Sequence, residues 1–147
     1  MTGPKFIVLE MRSTLVVSGG DAEMFLQNLI SNDVTKVSAQ RAIYATLLTP
    51  QGKFLHDFFV AAHPEIAAAY VIETEADRMA DLEQRLTMYR LRADVTLGAA
   101  PADWEVLAAF GEGAAEALDL EPVEGAAASR DGSVAYVDPR LASLGVR

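Results

Sequence analysis

Cysteine is absent from this chain of 147 residues, and histidine occurs only twice, at His56 and His63. Without cysteine, the chain can form no disulfide, no thiolate nucleophile and no cysteine-ligated metal site. Two histidines are too few for a histidine-based metal site unless carboxylates join them, so we predict no metal site. The sequence also lacks the HExxH, GxGxxG and GxxxxGK[ST] motifs, which removes support for a zinc protease, a dinucleotide-binding protein or a P-loop protein.

Long apolar runs and basic residues are also scarce. No run of about 18 apolar residues is present, so we expect no membrane span. The segment MTGPKFIVLEMR resembles neither a secretory signal nor an organelle transit peptide, which predicts a cytoplasmic protein. Lys and Arg number 12 against 21 Asp and Glu, a net charge of -9, and this balance argues against nucleic-acid binding. The neighbouring Arg85, Arg90 and Arg92 are either a solvated helix end or a local basic patch.

The beginning of the chain has a strand pattern followed by a helix pattern. β-Branched residues predict a strand over residues 6–17, and Ser18-Gly19-Gly20 ends it. Asp21 is suited to cap a helix whose apolar residues recur at the i, i+3 and i+4 spacing. Residues 31–33, Ser-Asn-Asp, prefer turns and predict the end of that helix. The apolar stripe consists of Ala22, Phe25, Leu26, Leu29 and Ile30.

A β-hairpin pattern follows. Residues 42–48 and 54–61 read as strands, and Thr49-Pro50-Gln51-Gly52 between them is a strong turn signal. Residues 70–72 predict a further strand, and residues 75–90 predict a second helix. The later predictions are strands at 93–97, 104–110 and 133–137, a helix at 112–118 and an alanine-rich loop at 125–130.

This order of elements predicts an α+β fold with a mixed, largely antiparallel sheet and helices on one face, including ferredoxin-like split βαβ elements. A change of composition near residues 98–101 suggests a boundary. We therefore predict a first α+β lobe over residues 1–98. Residues 99–147 would be the truncated start of a second α+β lobe.

Asp57 is the sharpest candidate for a functional residue. It lies inside an apolar strand, where a carboxylate is costly unless it is paired or opens to a cleft. The two-residue period puts Leu55, Asp57 and Phe59 on one face of the strand and His56 on the other. Asp57 is then either an edge residue facing water or a proton-shuttling or amine-binding group.

Two further polar pairs lie at the ends of predicted elements. Asn32 and Asp33 either form an ordinary turn or point into a cleft beside the hairpin, where the Asn amide can fix a ligand through both a donor and an acceptor. Gln51 and Lys53 are exposed turn residues whose local sequence carries little functional signal.

Several segments, in their order and spacing, resemble the N-terminal half of the YgfZ-type folate-binding proteins, relatives of the glycine-cleavage T-protein, an aminomethyltransferase. The segments are LVVSGGDA at 15–22, FLQ at 25–27, SNDV at 31–34, LLTPQGK at 47–53, DFFV at 57–60, LTMYRLRADV at 86–95, DPR at 138–140 and LG at 144–145. The diagnostic motif Lys-Gly-Cys-Tyr-x-Gly-Gln-Glu of that family is absent. We therefore expect a GcvT/YgfZ-like folate-binding fold that is incomplete, the N-terminal portion of a longer protein, whose exposed apolar surface favours self-association.

The resemblance implies a tetrahydrofolate-binding protein, or one that binds a one-carbon derivative, acting in iron–sulfur cluster assembly or repair. It also implies iron–sulfur client or assembly proteins as partners. In this reading Asp57 anchors the folate amine, and Asn32, Asp33, Gln51 and Lys53 belong to the folate-binding segments. The alternative is a tetrahydrofolate-dependent aminomethyltransferase of the T-protein type, with Asp57 as its catalytic residue. His56 stands where the T-protein relatives carry the first Asp of an Asp-Asp pair, which favours binding over transfer.

Overall fold

The computed structural model describes residues 3–147. Its nine strands and three helices are β1 Lys5–Val8, β2 Arg12–Ser18, α1 Ala22–Leu29, β3 Ile43–Leu48, β4 Phe54–Ala62, β5 Tyr70–Glu75, α2 Ala76–Arg90, β6 Thr96–Ala99, β7 Leu107–Phe110, α3 Ala114–Ala117, β8 Ala127–Arg130 and β9 Ser133–Tyr136. Single 3-10 turns occur at Val34–Lys36 and Ala142–Leu144.

A five-stranded sheet in the order β3-β4-β5-β2-β6 forms the centre of the fold. Each neighbouring pair in it is antiparallel. Strands β5 and β6 both lie antiparallel to β2 and therefore run in the same direction. The β5–α2–β6 unit is thus a split βαβ unit with β2 inserted between its strands. The predicted α+β fold class is confirmed.

Both long helices cover one face of this sheet. Phe58 and Val60 of β4 point to that side and share a buried cluster with Leu26 of α1 and Leu82 and Leu86 of α2. All five side chains are at most 1% exposed. The apolar stripe predicted for the first helix is the part of α1 that enters this core, because one helical face in every turn meets the sheet.

The opposite face of the sheet is covered by the end of the chain. Phe59 and Ala61 of β4 pack against Ala127 of β8 and Tyr136 of β9, which form a two-stranded ribbon. A second ribbon pairs β1 with β7. Alternation along β4 therefore assigns Phe58 and Phe59 to two different cores, one on each side of the sheet.

Two predicted elements differ from the structure. The single strand expected over residues 6–17 is two strands, because the chain turns at Leu9, whose carbonyl oxygen accepts a hydrogen bond from the Arg12 amide at 3.1 Å. Strand β1 then pairs with β7, whereas β2 pairs with β5 and β6.

The alanine-rich segment expected to be a loop contains β8 instead. Alanine has a weak intrinsic preference for strands, but packing decides strand formation more than propensity does. Gly125 lies so close to the Ala42 carbonyl oxygen that a Cβ at its position would be only 2.7 Å away. Small residues are therefore needed where this segment approaches the sheet, and Ala127 donates its amide to the Gln40 carbonyl at 2.9 Å.

Other boundaries shift by a few residues. The strand predicted at 104–110 begins at Leu107, and the helix predicted at 112–118 is the single turn Ala114–Ala117. Strand β6 completes the central sheet at Ala99. Since β1 pairs with β7, the beginning of the chain contacts the region after residue 99. The division into two lobes at residues 98 and 99 stays a prediction.

Candidate functional site

Asp57 lies on the face of β4 that points away from the helices, on the same side as Phe59, in agreement with the two-residue period. Its side chain is half-buried. The Tyr44 hydroxyl, from the neighbouring strand β3, donates a hydrogen bond of 2.7 Å to Asp57 Oδ2. Thr74 of β5 fixes the backbone at the same point, because its hydroxyl donates to the Asp57 carbonyl oxygen at 2.7 Å.

Tyr44 is a hydrogen-bond donor with a perturbed acidity. Burial and then the hydrogen bond to Asp57 raise its pKa from the ordinary 10.0 to about 12. The hydroxyl therefore stays protonated at neutral pH and keeps donating to Asp57. Of the two carboxylate oxygens of Asp57, Oδ2 alone accepts a side-chain hydrogen bond from residues 3–147. Oδ1 is therefore available to a ligand N–H group.

Arg140 lies beside this pair and is held by Asp138. The Asp138 side chain is 2% exposed and accepts hydrogen bonds from Arg140 Nε at 3.0 Å and Nη2 at 2.7 Å. Burial alone would raise the pKa of Asp138, but the hydrogen bonds and charge of Arg140 hold it below its ordinary value. The guanidinium carbon lies 5.5 Å from the centre of the Tyr44 ring and 5.0 Å from that of Phe59.

Phe59 is surrounded by cations. Besides Arg140, the guanidinium carbons of Arg12 and Arg147 lie 5.9 and 5.5 Å from its ring centre. Both of these arginines also contact Glu73, which is 3% exposed. Acidic and basic side chains therefore alternate on this face of the sheet. Glu73 pairs with the more buried Arg12 and Arg147, and Asp138 pairs with the more exposed Arg140. Such pairing is what permits charged groups to be buried.

Asn32 and Asp33 lie next to Tyr44, and their side chains form hydrogen bonds with other groups of the protein. Asn32 Nδ2 donates to the Tyr44 carbonyl oxygen at 2.9 Å, and Asn32 Oδ1 accepts from the Asp33 amide at 2.7 Å. Asp33 caps the following 3-10 turn by accepting from the Thr35 amide at 3.0 Å. Asn32 thus links the end of α1 to the strand that carries Tyr44.

Gln51 and Lys53 lie at the exposed tip of the β3–β4 hairpin. The turn is closed by the Thr49 amide donating to the Lys53 carbonyl oxygen at 2.8 Å and by the Lys53 amide donating to Thr49 Oγ1 at 3.0 Å. Lys53 is four residues from Asp57 along the chain, or about 13 Å of extended strand. The predicted residues therefore form two groups, one at Asp57 and one at the hairpin tip.

His56 belongs to the other side of the sheet. It is 2% exposed, and its Nε2 lies 2.6 Å from Asp81 Oδ2 of α2. Asp81 also accepts from Arg85 at 2.7 Å. The hydrogen bonds from Arg85 and His56 hold the pKa of Asp81 below its ordinary value. Position 56 therefore contributes to helix packing. It does not contribute to the opposite face of the sheet, where Asp57, Tyr44 and Arg140 lie together, which we call the Asp57 face.

Two cavities of about 390 and 490 Å³ border Arg12 and Arg147, two of the arginines that surround Phe59. The larger one opens between β2, β5 and β9 and is lined by Glu73, Trp104, Tyr136 and Arg147. The smaller one lies near Arg12 and Trp104. Neither of these two cavities is lined by Asp57. Residues 3–147 contain no group of three or more His, Asp or Glu side chains placed to hold a metal ion. None of the helices in the same range combines the length and apolar character required to traverse a membrane.

Sequence reasoning missed Tyr44, Asp138 and Arg140 as parts of this site. The hairpin register contained a signal for Tyr44, because β3 and β4 pair so that Tyr44 lies opposite Phe59 and diagonal to Asp57. For Asp138 and Arg140, the only signal in the sequence is the family resemblance. Their contact with β3 and β4 depends on long-range packing that no local pattern reveals.

Comparison with known proteins identifies the family. The profile of the GCVT N-terminal domain matches residues 8–137, and the chain belongs to this family. This confirms the resemblance to the GcvT-like aminomethyltransferase superfamily. Among solved structures, the glycine cleavage system aminomethyltransferase T from Bartonella henselae matches with a TM-score of 0.74 and 14% sequence identity, over 92% of this chain and 38% of that chain. At this identity the match concerns the fold.

Curated relatives are more similar in sequence. The human mitochondrial iron–sulfur cluster assembly factor IBA57 is 33% identical over an alignment that covers 95% of this chain and 41% of that protein. The mouse protein of the same name is 30% identical over the same shares. A homologue from Neurospora crassa is 33% identical over 93 residues, or 60% of this chain and 21% of that protein. The chain thus spans about two fifths of the length of the human and mouse relatives.

The prediction of a cytoplasmic protein is wrong by this comparison. The human, mouse and N. crassa relatives are all named as mitochondrial proteins. The prediction rested on the composition of the first residues, and that composition is a weak guide to compartment.

Proposed function

We propose that this chain binds tetrahydrofolate, or a one-carbon derivative of it, on the Asp57 face, and that this binding serves iron–sulfur cluster assembly. The observation that carries the proposal is the half-buried Asp57 carboxylate, held by Tyr44 at 2.7 Å and left with an available oxygen. A carboxylate fixed in this way is suited to accept an N–H group of a reduced pterin.

The residues present fit the chemistry of a reduced folate. Asp57 offers an acceptor for the ligand N–H groups, and the half-buried Tyr44 offers aromatic surface beside it. Asn32 and Asp33 would act by holding the strand and turn that border the face, since Asn32 bonds the Tyr44 carbonyl oxygen and Asp33 Oδ1 bonds the Thr35 amide. When bound, tetrahydrofolate would supply a carrier for a one-carbon unit.

Gln51 and Lys53 would contact a part of the ligand that extends along the hairpin. A folate is long enough to reach from Asp57 toward the tip, whereas a pterin alone is not. The exposed Gln51 and Lys53 side chains would then contact the part of the ligand beyond the pterin ring. This assigns the two groups of predicted residues to two ends of one ligand.

The link to iron–sulfur clusters is supported by the names of the relatives. The human and mouse proteins, each aligned with 95% of this chain, are iron–sulfur cluster assembly factors. We infer that iron–sulfur client or assembly proteins are the partners. The net charge of -9 favours partner surfaces of neutral or positive character.

The alternative is a tetrahydrofolate-dependent aminomethyltransferase, favoured by the fold shared with aminomethyltransferase T. In the sequence, a histidine at position 56 favours binding over transfer. Because His56 faces the helices and bonds Asp81, replacing an Asp at this position leaves the Asp57 face unchanged. In a transferase, Asp57 would be the catalytic residue that orients the substrate amine by charge and hydrogen bonding.

Calorimetric titration of this chain with tetrahydrofolate and 5-formyl-tetrahydrofolate tests the proposal. We expect Asp57→Asn to weaken binding by about 10- to 100-fold, because a charged hydrogen bond becomes a neutral one. Asp119→Asn is the matched control, since it removes an equal charge from a carboxylate that is 71% exposed and pairs with Arg130. Equal binding by wild type and Asp57→Asn would contradict the assignment of the face. Turnover of a methylamine-type donor would favour the transferase.

A further inference from the structure

We propose that Arg140 is the anion-binding residue of the Asp57 face, and that the ligand presents a carboxylate to Arg140 while an N–H group meets Asp57. The inference rests on the proposed function and deepens it. Tight binding then requires the acidic tail of the ligand, and Arg140 is the residue that recognises this tail.

Arg140 is fixed before any ligand arrives. Asp138 accepts from its Nε at 3.0 Å, from its Nη2 at 2.7 Å and from its backbone amide at 2.9 Å. Asp138 is itself 2% exposed, so the anchor cannot move without breaking the packing around it. A guanidinium held by two hydrogen bonds, on a backbone fixed by a third, loses little further conformational freedom when it binds an anion.

Arg140 is also accessible. Its side chain is 38% exposed, and within residues 3–147 its hydrogen bonds engage Nε and Nη2 alone. The Nη1 donors are therefore available. The guanidinium lies over the Tyr44 ring, whose hydroxyl end contacts Asp57. A ligand that reaches Asp57 at one end of this ring meets Arg140 above the ring.

The other two arginines at Phe59 are not equivalent. Arg12 and Arg147 both contact Glu73, and their side chains are only 18% and 19% exposed. Their charge is balanced inside the protein by a carboxylate that is almost fully buried. Arg140 is thus the one of the three that combines a fixed position with an open surface.

The surrounding charges select the class of anion. Asp57 and Asp138 flank Arg140, and the whole chain carries a net charge of -9, which disfavours a phosphate that concentrates two charges on one group. A carboxylate matches the planar fork of a guanidinium with a single negative charge. A ligand that carries an N–H donor as well satisfies Asp57. The face is therefore suited to a ligand that carries both an N–H donor and a carboxylate, as a folate does with its pterin and its glutamate.

The test compares tetrahydrofolate with its diamide, in which both glutamate carboxylates are amides of nearly the same size. We expect the wild-type chain to bind tetrahydrofolate about 10- to 100-fold more tightly than the diamide, the range of one charge-assisted interaction. Arg140→Gln should lower tetrahydrofolate affinity to that of the diamide and leave diamide affinity within about twofold. Arg140→Lys keeps the charge but not the fork and should fall between them.

The control is Arg130→Gln, which removes a guanidinium that also pairs with an aspartate but lies on an exposed ribbon. Thermal unfolding of each variant separates a lost contact from a lost fold. Unchanged tetrahydrofolate affinity in a folded Arg140→Gln variant would overturn the inference. If Asp57→Asn still weakened both ligands equally, the proposed function would stand without it. Failure of the wild type to bind either ligand would overturn both.

Discussion

Tyr44 and Asp57 occupy neighbouring strands of the central sheet and are joined by a hydrogen bond of 2.7 Å from the phenol to the carboxylate. The bond runs diagonally, because Tyr44 lies opposite Phe59 and Asp57 opposite Thr46. It orients the carboxylate and at the same time ties the acidity of the phenol to the charge of its partner.

Asp57→Asn should lower the pKa of Tyr44. Burial, followed by the hydrogen bond and charge of Asp57, raises this pKa to about 12. Removing the charge leaves the burial, so we expect a value between 10.0 and 12. Titration of ring-¹³C-labelled tyrosine by NMR measures it. The distant Asp119→Asn variant should leave the value unchanged, and a Tyr44 pKa that stayed at about 12 in Asp57→Asn would contradict the assigned coupling.

Asp138→Asn should weaken the fold and change its dependence on acid. The folded pKa of Asp138 is lowered by Arg140 relative to the ordinary value of 3.8. The resulting stabilisation is present above about pH 4 and disappears as the pH falls through the lower folded pKa. We expect a loss of about 2 kcal/mol at pH 7, the size of hydrogen bonds to a charged group.

Urea unfolding at pH 7 and at pH 3 checks this expectation. The difference between wild type and Asp138→Asn should be smaller at pH 3, because the wild-type carboxylate is then losing its charge. A constant difference at both pH values would mean that the side-chain amide fails for steric reasons rather than for lack of charge.

The local part of this fold was predictable from the sequence. The stripe that ends at Ile30 predicted α1, and the Thr-Pro-Gln-Gly turn predicted the β3–β4 hairpin. The two-residue period of β4 correctly separated Asp57 from His56. Each of these features depends on neighbours within a few residues, and the geometry of one helix or hairpin is enough to fix them.

The parts that were missed depend on distant contacts. Residues 6–17 have a continuous strand pattern, but β1 and β2 join different sheets because their partners come from different parts of the chain. Likewise, the covering of Phe59 by Arg140 and Tyr136 brings the end of the chain onto β4. Nothing in the composition of residues 125–140 specifies that contact, and it completes the candidate site.

Burial should decide how much each of two ion pairs with similar N···O distances contributes to the stability of the fold. Glu73 is 3% exposed and meets Arg12 and Arg147, whereas Asp119 and Arg130 form a 2.6 Å pair with side chains 71% and 75% exposed. We expect Glu73→Gln to cost about 3 kcal/mol, because two poorly hydrated cations lose their counter-charge. Asp119→Asn should cost less than about 1 kcal/mol, since water already screens that pair. Urea unfolding of both variants compares them, and equal losses would contradict the expected role of burial.

The β1–β7 ribbon should mediate self-association. Phe6, Ile7 and Val8 of β1 are 55%, 53% and 42% exposed, and such an apolar edge favours pairing with another strand. We expect a concentration-dependent dimer in sedimentation velocity, weakened at least about tenfold by Ile7→Lys. The control Met24→Lys places the same charge on α1 at a residue that is 67% exposed. A monomer at all concentrations would contradict the prediction.

His56 and Asp81 should be energetically coupled although Asp81 is partly exposed. His56 Nδ1 is buried and has no hydrogen-bond partner among the described residues. The other ring nitrogen, Nε2, is satisfied by Asp81 at 2.6 Å. Asp81→Ala leaves both nitrogens of a buried ring unpaired, and we expect it to destabilise the fold measurably. In a His56→Leu background the same change should cost almost nothing, because no buried polar group then depends on it. A double-mutant cycle measured by urea unfolding gives the coupling energy. Additive effects would mean that Arg85, which also bonds Asp81, rather than His56, accounts for the importance of this carboxylate.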